Sequence, residues 1–345
     1  MANLVIGPML RYVSDTAATV WVETDGPCSV EVLGHSSETF HVSGHYYAIV
    51  AITGLAPASC VEYEVMLDSV RCWPAADNEW PASRIRTLPR EGPLDLVFGS
   101  CRVSRPHRLP YTLSPDENEL GTGVDALYAL AVRMRAQDVG SWPHVLLLLG
   151  DQVYADEIPP ETADFIRARR DVSQPPGLEV ADFEEYCRLY YEAWADPPLR
   201  WLLSTLPSAM IFDDHDVHDD WNTSAAWVAR MRARSWWPAR ITGALGTYWI
   251  YQNLGNLSPA ELEADALLRR VRASDDAGPL LEEFALEADC AGGGGRWSFV
   301  RDLAGARLVV IDGREGRILE EGRREMLDED EWRWLADQTT GDFDH

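Results

Sequence analysis

The sequence predicts two unlike regions in series: an all-β sandwich over residues 1–88 and, after a linker at 89–94, an α/β domain over 95–345. Three observations predict this. Residues from about 3 to 88 alternate apolar and polar at period two between Gly, Pro and Asp turns, as half-buried strands do. The stretch Arg84 to Pro93 (RIRTLPREGP) interrupts every pattern with proline, glycine and charge. Beyond it, short apolar strands alternate with long amphipathic helices, which is how an α/β domain reads.

In the first region, Thr16 to Glu23 forms one strand with Ala18, Val20 and Val22 on one face. Tyr47 to Thr53 forms another, followed by Gly54-Leu-Ala-Pro57 and then by Tyr63, which opens the strand to Leu67. That order resembles the corner of immunoglobulin- and fibronectin-like sandwiches. In the second region, Leu94 to Ser100 is a strand running into Cys101 and Arg102. A helix follows from Val124 to Gln137, with Val124, Leu127, Ala131 and Met134 on one stripe. Val145 to Leu149 is uniformly apolar, as central strands of such sheets are, and ends in Gly150-Asp-Gln-Val-Tyr154.

Residues 160–205 and 221–256 read as helical and rich in aromatics, for which core packing is the simpler account. Ser258-Pro-Ala-Glu261 is a capping box that starts a helix. Gly292 to Gly295 reads as a flexible connector, since no Lys-Ser/Thr follows to make a phosphate loop. Arg296 to Val300 and Arg307 to Asp312 are two more strands, and a last helix lies near Asp328 to Ala336.

Composition narrows the function. With 46% hydrophobic residues and 14 Trp, the 345-residue chain is globular with a large core. Its 30 basic residues, all arginine, stand against 56 acidic ones for a net charge of −26. That field repels nucleic acid and anionic membranes, so neither is expected as a standing partner. No run is long enough to span a bilayer, and Met1 to Pro8 lacks the features of a signal peptide, so a cytoplasmic protein is expected. The six cysteines include no C-x-x-C pair, which indicates neither a zinc knuckle nor a disulfide scaffold.

The densest chemistry lies between Ile211 and Asn222 (IFDDHDVHDDWN), where five Asp and two His follow an apolar lead-in. Carboxylates this close repel one another unless a cation sits among them. A solvated acidic loop is the plainer alternative, but such loops rarely alternate Asp with His. Other polar groups also follow apolar strands: Cys101, Asp151 with Tyr154, and Asp312 with Arg314. Ligands of open α/β sheets bind beyond the carboxyl ends of strands, so these groups can meet there. Taken singly each is weak; a lone Cys is usually a small buried hydrophobe. Carboxylate, phenolate, thiolate and imidazole together suit Fe, Mn, Ca or Zn.

Phe98 to Arg102 (FGSCR), Gly150 to Tyr154 (GDQVY), Asp213 to Asp216 (DDHD) and Asp312 to Arg314 (DGR) resemble, in that order, the motifs of the PhoD-like alkaline phosphatases and phosphodiesterases. These belong to the calcineurin-like metallophosphoesterases, and a β-sandwich before the catalytic domain also fits them. The resemblance implies two mixed sheets flanked by helices and metal-dependent hydrolysis of phosphate mono- or diesters by a metal-activated hydroxide. Asp151 would bridge two ions, with Cys101 and Tyr154 on Fe(III) and Asp214 on Ca(II) or another divalent ion. His215 would contact the phosphate or protonate the leaving alkoxide. Arg102, with Asn222 or Arg314, would hold phosphate oxygens, while Asp213, Asp216 and Asp312 would support the ligands from behind. His218, Asp219 and Asp220 are left to supporting or helix-start roles.

One departure matters. The family carries late His ligands, and after His218 this chain has no histidine before His345. The domain is therefore expected to be truncated at its C-terminus, with an incomplete second metal site. The alternative is a non-catalytic binding or scaffold protein with a degenerate phosphatase-like domain.

Overall fold

In the computed structural model, which describes residues 2–291 and 295–341, the N-terminal region is strand-rich. Its strands are β1 (Leu4–Val13), β2 (Ala17–Thr24), β3 (Ser29–Val32), β4 (His35–Glu38), β5 (Phe40–Val42), β6 (His45–Thr53), β7 (Cys60–Glu62), β8 (Val65–Leu67), β9 (Val70–Trp73) and β10 (Arg84–Arg86). They pair antiparallel in two four-stranded sheets, ordered β1-β2-β6-β5 and β4-β3-β8-β9, with β7 and β10 as a separate pair. Ala18, Val20 and Val22 share one face, as their period-two spacing requires, and lie in one core with Val30, Val65 and Leu67 of the other sheet. The opposite face is buried too: Trp21 and Tyr47 pack with residues of the α/β region.

Tyr63 corrects one expectation. Its hydroxyl donates to the carbonyl of Ser204 (2.6 Å), in the α/β region, instead of returning to its own upstream backbone. The tyrosine fastens the two regions together and closes no sandwich corner.

The α/β region begins with β11 (Leu96–Gly99), α1 (Ala126–Arg135), β12 (Val145–Leu149), α2 (Pro160–Arg169), α3 (Phe183–Trp194), α4 (Pro197–Thr205) and β13 (Ser208–Ile211). The three strands form a parallel sheet ordered β11-β12-β13. It is not mixed as expected, because each connection crosses over through helices. β11 is its edge, and Phe98 there is 73% exposed. Then come α5 (Ala225–Arg232), α6 (Trp237–Tyr248), α7 (Pro259–Ala264), α8 (Ala266–Arg272), α9 (Gly278–Ala291), β14 (Phe299–Leu303), β15 (Ala306–Val310) and α10 (Glu329–Gln338). In place of a second mixed sheet, β14 and β15 form an antiparallel hairpin.

The capping box at α7 is present: the Glu261 carboxylate accepts from the Ser258 amide (2.7 Å), and the Ser258 hydroxyl from the Glu261 amide (3.3 Å). On α1, Leu127, Ala131 and Met134 are buried, but Val124 lies before the helix and is 57% exposed. Tyr186, Tyr190, Trp194, Trp201, Tyr248 and Trp249 are core residues. Of the glycine connector, Gly292 to Gly294 lie outside the described residues.

Two buried arginines fix the strand that carries the acidic run. Arg11 of β1 donates to the carbonyls of Ser208 (3.3 Å), Tyr251 (2.6 Å) and Gln252 (2.7 Å). Arg301 of β14 donates to those of Arg11 (3.3 Å), Ser208 (3.4 Å) and Gly255 (2.8 Å). Burial, with the charge of Arg301, pulls Arg11 down to about 9, and burial pulls Arg301 down to about 10. Both remain cations at neutral pH, bound to carbonyl oxygens.

Candidate metal centre

Because β11, β12 and β13 are parallel, their carboxyl ends open on one side, and each releases a functional loop there. β11 leads to Cys101, β12 to Asp151 and β13 to Asp213 and Asp214. The first two loops are stitched together: the Cys101 amide donates to Gly150 (3.3 Å) and the Arg102 amide to Asp151 (3.1 Å). Cys101 (φ 56°) and Asp151 (φ 25°) both have left-handed backbone, a strained state that clusters at functional sites. Gly150 (φ +132°) permits the approach of the third loop, since a Cβ there would meet Asp213 Cβ at 3.0 Å.

Asp151, Asp213 and Asp214 each bring a carboxylate oxygen within 4.8 Å of the others. Asp151 is only 2% exposed, and burial together with its two acidic neighbours raises its pKa against the opposing contact with Cys101. Burial first, then the charge of Asp151, raises the Cys101 thiol and the Tyr154 phenol, each of which touches Asp151. A cation among these three groups would offset each of these shifts. Asp214, Asp219 and Asp220 make a second, more exposed group. Asp213, expected to stand behind the ligands, is itself in the first cluster.

His215 lies over this cluster. Its amide donates to Asp151 Oδ1 (3.1 Å), and its ring lies 4.6 Å from that of Tyr154. Its Nδ1 meets Asp156 at 2.8 Å, and Nε2 lies 3.6 Å from Asp219. Burial pulls the imidazole down, but Asp156 and the charges of Asp151 and Asp214 outweigh it, so its pKa is raised. Sequence reading missed Asp156. The one signal was its place five residues after Asp151, in the loop GDQVYAD.

Arg314 Nη2 is 3.1 Å from Asp214 Oδ1, its Nε donates to Asp213, and Nη1 reaches the Trp221 carbonyl (3.3 Å). Asp312 shapes the turn that delivers it, accepting from the amides of Arg314 (2.7 Å) and Glu315 (3.1 Å). Burial raises Asp312 to about 6. Asp216 is buried and bonded to the Asp213 amide (3.1 Å) and to Gln252 (3.0 Å); burial and the charge of Asp151 hold its pKa well up.

Two assignments need correction, and a third loses one of its two alternatives. Arg102 faces away from the cluster: its Nε donates to Asp125 (2.8 Å) and its Nη1 to the Ala193 carbonyl (2.8 Å), because the buried carboxylate capping α1 requires a partner. Asn222 uses its amide nitrogen on the carbonyls of Arg314 (3.1 Å) and Glu315 (3.0 Å), so it clamps the Asp312 turn. His218 to Asp220 start no helix, since α5 begins at Ala225 under Ser224. The Asp219 and Asp220 amides instead donate to Asp156 (2.7 Å) and Asp214 (3.0 Å).

Residues 122–290 match the PhoD-like phosphatase family. Just under half of the chain thus resembles that family. The match includes Asp151, Asp156 and the whole Asp213 to Asp220 run, while Cys101, Asp312 and Arg314 lie outside it. Residues 1–85 match a domain of unknown function (DUF7800), in keeping with a separate N-terminal domain. A solved "Structure of PhoD" aligns with 99% of this chain at 13% identity and a TM-score of 0.59, a likeness of fold. This chain spans 60% of the length of that one. No curated protein matches.

Proposed function

We propose that the chain is a metal-dependent hydrolase of phosphate mono- or diesters. One observation carries the reading: Asp151, Asp213 and Asp214 converge within 4.8 Å, beside Cys101 and Tyr154 and under a histidine whose Nδ1 is held by Asp156. These five residues fit metal ions, with phenolate and thiolate suited to Fe(III) and the carboxylates to Ca(II) or another divalent ion. Bound there, such ions would neutralise phosphate oxygens and make water a stronger nucleophile. His215 has Nδ1 occupied by Asp156, which leaves Nε2 as the position from which a proton passes to the leaving alkoxide. Arg314 neutralises Asp213 and Asp214 in this structure and would be freed toward phosphate oxygens once a metal ion took over those carboxylates.

The test is turnover of 4-nitrophenyl phosphate and its bis ester before and after chelation. Loss on chelation, recovery on adding Fe or Ca salts, and abolition in Asp151→Asn are expected. Turnover that survives both treatments contradicts the reading. The Arg314 contacts give a non-catalytic scaffold its best support, since they neutralise Asp213 and Asp214 without a metal. Purified protein with neither metal nor turnover would favour that alternative.

A further inference from the structure

From Gly99 to Pro115 the sequence has three Arg, one His and no Asp or Glu, in a chain with 56 acidic residues. This segment walls a cavity of about 560 Å³ that starts at Ser100 and Cys101 and reaches Arg105, with Val103, Val124 and Leu127 on its apolar side. A second cavity of about 310 Å³ lies on the other side of Arg105 and includes Arg108. The first is of the size that takes a small organic molecule.

The charges of the segment differ in availability. Arg102 is engaged by Asp125. His107 lies between Asp196 (2.8 Å) and Asp125 (3.9 Å). Among the described residues, the Arg105 guanidinium donates only to the Ser104 carbonyl (3.1 Å), and Arg108 forms no ion pair. The carboxylates lining the same cavities are Glu157, Glu161, Glu192, Asp196 and Asp125. Glu192 pairs with Arg188, and Asp196 and Asp125 pair as above, while Glu157 and Glu161 form no ion pair among the described residues and share these cavities with the two arginines. Two guanidinium groups without an ion pair among the described residues thus line these cavities, Arg105 in the one that starts at Cys101 and Arg108 in its neighbour, in a protein whose overall field repels anions.

We infer that Arg105 and Arg108 form an anion subsite beside the metal centre, which selects phosphate esters whose organic part carries a second anionic group. Carboxylate and phosphate each present a pair of anionic oxygens that a guanidinium can bind bidentately. The inference rests on the phosphoesterase reading above and names its substrate class.

Matched pairs of substrates test it with metal-loaded full-length protein. Glycerol 3-phosphate against 3-phosphoglycerate probes a carboxylate, and fructose 6-phosphate against fructose 1,6-bisphosphate probes a phosphate. Wild type should favour the second member of at least one pair by about tenfold in kcat/KM, and the preference should collapse in Arg105→Gln. The pair with the larger ratio tells which anion is read. No preference in wild type, or a preference that survives in Arg105→Gln, overturns the subsite. Arg108→Gln serves the same purpose if the first variant does not fold.

Calorimetric binding of 3-phosphoglycerate separates the two levels of the account. Binding that is lost in Arg105→Gln, in a protein that hydrolyses no ester, keeps the subsite and rejects the phosphoesterase reading. Binding that is equal in both proteins rejects the subsite.

Discussion

Asp156 governs the protonation of His215, because it holds Nδ1 at 2.8 Å while Asp219 also borders the ring. Replacing it with Asn should lower kcat by about 10–100-fold, the usual effect of losing a group that orients another. Metal content should stay unchanged, as measured by elemental analysis beside steady-state kinetics. The motif residues themselves were legible, since Asp151, Tyr154, Asp214 and His215 follow strands at fixed offsets and do meet. Side-chain direction was not. Whether Arg102 faces the cluster depends on Asp125 and on the Ala193 carbonyl, partners that no local spacing reveals. Asn222 was misread in the same way, because its partners are 92 and 93 residues away.

At the scale of elements, the N-terminus of α1 is a charged knot in which Asp125 accepts from the Leu127 and Tyr128 amides and pairs with Arg102, with His107 beside it. Burial pulls His107 down, but Asp125 and Asp196 outweigh it and raise its pKa to about 9 from an ordinary 6.5. A raised histidine stabilises the fold fully below the unfolded value, and that contribution fades as pH rises through about 9. Melting temperatures of wild type and His107→Asn should therefore differ most below pH 6.5 and converge toward pH 9. A gap that is constant with pH would reject the charged pairing. Strand periodicity gave the positions of β2, β6 and β12 because alternation and uniform apolarity report burial directly. It did not give the parallel order or the β14–β15 hairpin, which depend on how helices cross over the sheet.

At the scale of the molecule, the two regions share a core. Arg11 crosses from β1 to Ser208, Tyr63 reaches Ser204, and His45 bridges Glu23 (2.8 Å) and Glu184 (2.9 Å). Gly255 lies against Arg11, where an added Cβ would collide with the guanidinium. Gly255→Ala should cost about 1–3 kcal/mol by overpacking. Denaturant melts should show the loss in a single transition that unfolds both regions; two separated transitions would show that the shared core does not couple them. This coupling was not readable from composition, because an arginine in a β-strand ordinarily reads as a solvent-facing position.

The central claim is that Asp151 anchors a metal at the meeting point of three parallel strands. The most direct measurement is the Fe, Mn, Ca and Zn content of wild type and Asp151→Asn, purified in parallel and exhaustively dialysed. Near-stoichiometric metal in the wild type that is lost in the variant is the predicted result. Equal metal in both proteins, or none in either after incubation with those ions, would contradict it.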